Sequence, residues 1–163
     1  MNKEKKMGLL WRQTDFTWLA IEPNSDDVRG SELEKPVQKS VKELCSHLIK
    51  IGGKIVVVEF HESPIFCKVL VKFGEITPSA NLEVFNGEER ECHTNSAMLW
   101  SQNREEYLLV TGFALSEDGV WRRHSWVKTN DGKLIETTIQ REKYFGITLE
   151  EEGAEAFLQD YHR

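Results

Sequence analysis

The sequence predicts an α+β chain, on three observations. Apolar residues in 36–51 (Val37, Val41, Leu44, Leu48, Ile51) recur at three- and four-residue steps, the period of a helix buried along one face. Stretches 107–115, 120–128 and 134–140 are rich in β-branched and aromatic residues, and the last two flank Thr129-Asn130-Asp131-Gly132-Lys133, the clearest hairpin signal in the chain. Between these blocks, Glu91-Cys92-His93-Thr94-Asn95-Ser96-Ala97-Met98-Leu99-Trp100 reads as a helix of 92–102 with a cysteine at its mouth.

At 163 residues the chain is long enough for one domain with its own core, and a single domain over 1–163 is expected. Apolar residues at 39% and charged residues at 29% match an ordinary globular composition, so neither disorder nor a membrane protein is expected. A net charge of −6 speaks against a broad nucleic-acid footprint, because Arg122-Arg123 is only a local basic pair. No apolar run approaches the roughly 20 residues of a membrane span, and the start Met-Asn-Lys-Glu-Lys-Lys has no apolar stretch behind it. A cytoplasmic location with no membrane partner is the expectation. Three irregularly spaced cysteines, Cys45, Cys67 and Cys92, argue against a disulfide framework and leave at least one free thiol.

In chain order, residues 1–13 form a polar start that docks through Gly8-Leu9-Leu10-Trp11, and 14–21 alternates as a strand ending before Pro23. Residues 24–35 read as a surface loop. The helix of 36–51 has Pro36 in its first turn and Gly52-Gly53 as its stop, and places Cys45 beside the apolar stripe as a core residue. Two Val/Ile/Phe-rich strands, 54–60 and 65–73, are expected as a buried hairpin joined by His61-Glu62-Ser63-Pro64, with Cys67 in the second. Loop 74–80, a short strand 82–85 and a turn at Asn86-Gly87 lead into the cysteine helix. A C-terminal helix over 148–161 is signalled by Thr148 and Glu151 at capping-box spacing.

Nucleophilic cysteine chemistry needs a thiolate, an imidazole that takes and returns a proton, an acceptor that orients the imidazole, and donors for the developing oxyanion. A helix N-terminus lowers the pKa of a thiol, which recommends Cys92. His124, in Trp121-Arg122-Arg123-His124-Ser125-Trp126, is the candidate base. His93 adjoins the cysteine, but adjacent residues on a helix do not face each other, so His124 is the expected partner. With a three-residue hairpin loop and Gly132 left-handed, Thr129 faces Lys133, Trp126 faces Glu136, and His124 and Glu136 share a face one diagonal step apart. A two-residue Asp131-Gly132 turn instead moves Glu136 to the other face. Trp126 is expected to pack beside His124 and Glu136 and shield their hydrogen bond. Oxyanion donors are the Cys92 backbone N–H and the Asn86 amide, with His93 and Asn95 as further candidates for the pocket wall.

The order Glu91-Cys92 at a helix start, the strand Tyr107-Leu108-Leu109-Val110-Thr111-Gly112-Phe113, His124-Ser125-Trp126 on the next strand and Glu136-Thr137-Thr138 on its hairpin partner resembles the transglutaminase-like core of the papain-like cysteine enzymes. The motif covers about residues 86–138. It implies a papain-like α+β fold in which the cysteine helix packs on an antiparallel sheet, with a core of about 86–140, strands and helix of 14–73 as an elaboration, and a C-terminal helix. It also implies Cys92 as nucleophile, His124 as general acid/base and Glu136 as the group orienting His124. Glu136 stands where the family has Asp, and Asn86 where an amide six residues ahead of the cysteine is Gln.

The function expected is a cysteine hydrolase or acyltransferase acting on an amide- or ester-containing protein, peptide or small molecule, with no cofactor and no metal. A catalytically silent binding or regulatory domain of the same fold is the alternative. A metal-binding protein using Cys/His ligands is a third class, although Cys45, His47, His61 and Cys67 match no compact zinc spacing.

Overall fold

The computed structural model describes residues 10–14, 17–21, 39–59 and 62–161. The expectations for 1–9, for the loop 24–35 and for Pro36 in the first turn of a helix lie outside the described residues. The chain divides into two compact units, residues 1–72 with 118–122 and residues 73–117 with 123–163. Among the described residues are four helices and a set of strands paired mostly antiparallel, with two parallel pairs, so the chain is α+β with mixed rather than purely antiparallel pairing. No helix among them is long and apolar enough to cross a membrane.

In the first unit, β1 (Leu10–Thr14) and β2 (Thr17–Ile21) pair antiparallel from Leu10↔Ile21 to Thr14↔Thr17. The single strand expected over 14–21 is therefore corrected: the alternation was read through a chain reversal, and residues 10–14 are themselves a strand. β2 pairs antiparallel with β3 (Ile55–Glu59), which runs parallel to the start of β7 (Val120–Thr129) through Ile55↔Val120 and Val56↔Trp121. Helix α1 (Lys39–Ile51) buries Val41, Leu44, Cys45 and Leu48 on one face. It stops at Gly52 and Gly53, whose φ angles of 148° and 75° suit glycine. Buried Trp121 donates its indole N–H to the Gly52 carbonyl at 2.8 Å, closing the end of that helix.

Residues 65–73, expected as the second strand of a hairpin, lie instead in helix α2 (Pro64–Phe73). Ser63 accepts the Phe66 N–H on its hydroxyl at 3.3 Å and the Cys67 N–H on its carbonyl at 3.1 Å, and Pro64 fills the first helical position, where no N–H is needed. Buried Cys67 and Leu70 lie three residues apart while Ile65 and Phe73 are exposed, a helical rather than an alternating pattern. The N-cap and the proline outweigh the modest strand preference of Ile and Val.

The second unit is organised by β6 (Tyr107–Leu115), flanked by β7 and by β9 (Lys143–Thr148). β9, which has no counterpart among the sequence expectations, pairs antiparallel with β6 from Val110↔Thr148 to Leu115↔Lys143. β4 (Glu75–Ile76), inside the expected loop 74–80, pairs antiparallel with β9. On the other side β8 (Leu134–Glu136) pairs antiparallel with β7, and the short β5 (Glu83–Val84) runs parallel to β8. Helices α3 (Cys92–Gln102) and α4 (Glu151–Tyr161) cover one face, where Ala97, Leu99, Trp100 and Ala154 pack with Leu109, Val127 and Ile135. The other face carries Val110, Ala114, Trp126, Leu134 and Tyr144. α4 begins at Glu151 rather than at 148, because Thr148 is held in the β6 ladder.

The β7–β8 loop is the three-residue one. Thr129 N–H donates to the Lys133 carbonyl at 2.9 Å, Gly132 has φ of 89°, and Val127 faces Ile135. Carried one step further, that register sets Trp126 against Glu136. Gly146 is required by close approach, since a Cβ there would lie 2.6 Å from the Thr111 carbonyl oxygen and 2.7 Å from the Trp126 ring. Gly146→Ala is expected to lower stability by about 1–3 kcal/mol in denaturant titration through overpacking. Gly132→Ala, with open space around it and only the left-handed backbone to object, should cost about 1 kcal/mol.

Candidate active site

Cys92 is the first residue of α3 and is buried. Its N-cap, Glu91, makes no side-chain cap, and its carboxylate instead accepts from the Thr94 hydroxyl at 3.2 Å. The first-turn N–H groups therefore keep their positive potential for an anion at the cysteine. Just ahead, Arg90 adopts φ of 64°, the sole non-glycine positive φ among the described residues, so the backbone turns sharply before the helix. The Asn95 amide ties down this approach: it accepts from Glu88 N–H at 3.2 Å and donates to the Glu88 carbonyl at 2.7 Å and the Thr137 carbonyl at 3.4 Å. Gly87 is the residue that lets Asn95 come so close.

Glu136 ends β8 and is fully buried, where an unpartnered carboxylate costs several kcal/mol. Five donors meet it. Oε1 accepts from Thr137 N–H, Thr138 N–H and the Thr138 hydroxyl, all at 2.9 Å. Oε2 accepts from the Tyr144 hydroxyl at 2.8 Å and from His124 Nε2 at 2.9 Å. The chain turns at 137–138 to wrap its own carboxylate, which is why β8 stops at Glu136 rather than at residue 140. Ser96 shares a 3.3 Å hydrogen bond with Thr137, so the first turns of α3 sit where β8 leaves the sheet.

The bond to Glu136 fixes a proton on His124 Nε2 and leaves Nδ1 as the ring nitrogen for the thiol. Burial raises the Cys92 pKa, but hydrogen bonds from His124 and from His93 outweigh it and hold the thiol near 5. For His124, burial pulls downward while the hydrogen bonds to Cys92 and Glu136 lift it to about 9. Glu136 is kept below the ordinary carboxylate range: burial opposes ionisation, and the His124 and Tyr144 hydrogen bonds overcome it. Both shifts favour the ionised pair, a Cys92 thiolate beside a His124 imidazolium. Cys45 is the contrast, a buried free thiol pushed far up by burial, with Cys67 and Glu62 adding to the rise.

Trp126 is fully buried with its ring 6.2 Å from that of His124 and inclined by 24°, and it donates its indole N–H to the Thr77 hydroxyl at 3.2 Å. Tyr144, 5.2 Å from Trp126, also accepts the Arg141 N–H at 2.8 Å, so both of its hydroxyl functions are committed. Asn86 is exposed and takes no part in these hydrogen bonds. His93, not expected as the partner of the thiol because it is adjacent in sequence, adds to the lowering of the Cys92 pKa, and its Nδ1 lies 2.7 Å from Ser125 Oγ. Tyr144, Thr138 and Ser125 were not among the sequence candidates. The aromatic and β-branched run Tyr144-Phe145-Gly146-Ile147-Thr148 was the available signal for the strand that brings Tyr144 in.

A cavity of about 310 Å³ lies among Phe73, Ile76, Thr77, Lys128, Gly146 and Ile147, among others, and neither Cys92, His124 nor Glu136 lines it. Among the described residues no three Cys, His, Asp or Glu side chains are grouped to hold a metal, and His61 lies outside them. Comparison with protein-family models, with curated proteins and with solved structures finds no match to this chain. The Cys92 thiolate, read as the ultraviolet absorbance lost in Cys92→Ala, is expected to grow in as pH rises through about 5; the basic limit of the ion pair is loss of the imidazolium through about 9. An ordinary thiol would show the absorbance rising only near pH 8–9.

Proposed function

We propose that this chain is a cysteine hydrolase or acyltransferase of the papain-like, transglutaminase-like kind, acting on an amide or ester. The observation that carries the reading is His124 held by buried Glu136 through Nε2, with Cys92 at an uncapped helix start drawn well below the ordinary thiol range by His124. Glu136, in place of the shorter Asp of the family motif, is accommodated by the backbone that folds back around its carboxylate at Thr137 and Thr138.

In the reaction, Cys92 Sγ attacks the carbonyl carbon and the π electrons move to oxygen, where the Cys92 backbone N–H donates to the oxyanion. Such a donor contributes on the order of 10²–10³ in rate. Collapse breaks the bond to the leaving amine or alcohol, which takes the proton from His124 Nδ1 and departs, leaving a thioester. Water, or an acceptor amine, then gives a proton back to Nδ1 as it attacks, and the second collapse breaks the C–S bond and restores thiolate and imidazolium. Glu136 keeps the ring oriented and compensates its charge throughout. Trp126 and Tyr144 close the far side of this pair to water.

Incubation with an activated ester such as p-nitrophenyl acetate, followed by peptide mass mapping, tests the reading. The acyl group is expected on Cys92 and absent from Cys45 and Cys67. Turnover should fall by about 10⁶-fold in Cys92→Ala or His124→Ala and by about 10⁴-fold in Glu136→Gln, the pattern of groups acting as a unit. Acylation spread over lysines with none at Cys92, or full turnover in Cys92→Ala, would sink it in favour of a silent domain.

A further inference from the structure

The cavity of about 310 Å³ lies wholly within the second unit, and none of the chemistry described so far uses it. His124, Trp126 and Lys128 follow one another at two-residue steps on β7 and so share a face, and the cavity begins beyond Trp126, at Lys128. Its inner wall includes buried Val110 and Gly146 and the side chain of Thr77, which is 8% exposed. Phe73, Glu75 and Ile76, which also line it, are exposed, so the space opens to solvent on their side.

Three groups on this wall have bonding capacity that the chain leaves unspent. The Thr77 hydroxyl accepts the Trp126 indole N–H at 3.2 Å, but its own proton meets no acceptor among the described residues, and a buried donor without a partner is costly. Lys128 and Glu75 bring opposite charges to the same space, yet neither side chain makes an ion pair with the other or with any described residue. A molecule with a carboxylate alone would suit Lys128 and Thr77 and be repelled by Glu75, and an amine alone would meet the reverse. A zwitterion suits all three.

We propose that this cavity binds an apolar α-amino acid, with its carboxylate on Lys128 and the Thr77 hydroxyl, its ammonium on Glu75 and its side chain among Phe73, Ile76 and Val110. A volume of about 310 Å³ is at the small end of ligand pockets, the scale of such a molecule. The site stands or falls independently of the cysteine-enzyme reading. Once the Thr77 proton is donated to a carboxylate, the hydroxyl oxygen becomes a better acceptor for the Trp126 indole, so occupancy is felt at that N–H.

The test is a titration of the full nitrogen-15-labelled chain with L-phenylalanine, 3-phenylpropanoate and 2-phenylethylamine, followed by NMR at the Trp126 indole N–H and the Gly146 amide. The amino acid is expected to move both signals and to bind at least about tenfold more tightly than either single-charge analogue. Lys128→Met, which keeps the apolar stem, should remove the amino acid's advantage over the amine, and Glu75→Gln its advantage over the propanoate. Neither residue belongs to the cysteine site, so acylation of Cys92 by p-nitrophenyl acetate should be unchanged in both variants. Equal affinity for the three compounds in the wild type would mean that the space takes apolar matter indiscriminately, and overturns the proposal. So does an amino-acid affinity that both variants leave in place, or stationary Trp126 and Gly146 signals at about 10 mM of either L-phenylalanine or L-leucine.

Discussion

The second unit depends on keeping the Glu136 carboxylate ionised while none of it touches water. Left bare, that group would cost several kcal/mol and take up a proton. Its five donors come from three places: the imidazole on β7, the phenol on β9, and the peptide groups and hydroxyl of the two residues that follow it. Satisfying the carboxylate therefore ties β7, β8 and β9 together and bends the chain at Thr137. The bend in turn exposes the Thr137 carbonyl and hydroxyl to Asn95 and Ser96 of α3. One buried charge thus sets where the cysteine helix begins relative to the sheet.

The electrostatics of the thiol follow from the same constraint. Burial alone drives a thiol toward the neutral form, as it does at Cys45. At Cys92 the sign reverses because His124, whose charge the Glu136 carboxylate compensates, and His93 together outweigh burial. Removing the carboxylate's proton-donor bonds would weaken the imidazolium, and with it the thiolate. Tyr144 and Thr138 therefore act on the sulfur at two removes, and Trp126 acts by excluding the water that would screen the pair.

How much of this was legible in the sequence divides by range. The hairpin register was legible up to one choice: the three-residue Asn130-Asp131-Gly132 loop carries His124 and Glu136 to one face while a two-residue Asp131-Gly132 turn does not, and the Val127–Ile135 pairing decides for the first. The bounds of α3 and β6 were also legible, since each is a continuous patterned stretch. α2 was misread because Ile and Val preference was weighed above the local chemistry of Ser63-Pro64. The strand carrying Tyr144 had a local signal, but the meeting of Tyr144 with Glu136 and of Ser125 with Thr111 arises through strands distant in sequence, which no spacing in the chain encodes. His93 was kept as a candidate for the pocket wall, and the helix-face rule left its contact with Ser125 unforeseen. At the first turn a side chain is free to be met by the sheet, and Ser125 meets it.

The central claim is that His124 is an imidazolium because Cys92 is a thiolate. The direct measurement is the nitrogen NMR titration of His124 in wild type and in Cys92→Ala. The account predicts both ring nitrogens protonated at about pH 7 in the wild type, with loss of the proton only toward about 9, and a downward displacement of that titration when the sulfur is removed. A His124 ring already neutral at about pH 7 in the wild type, or a titration that Cys92→Ala leaves in place, would contradict it.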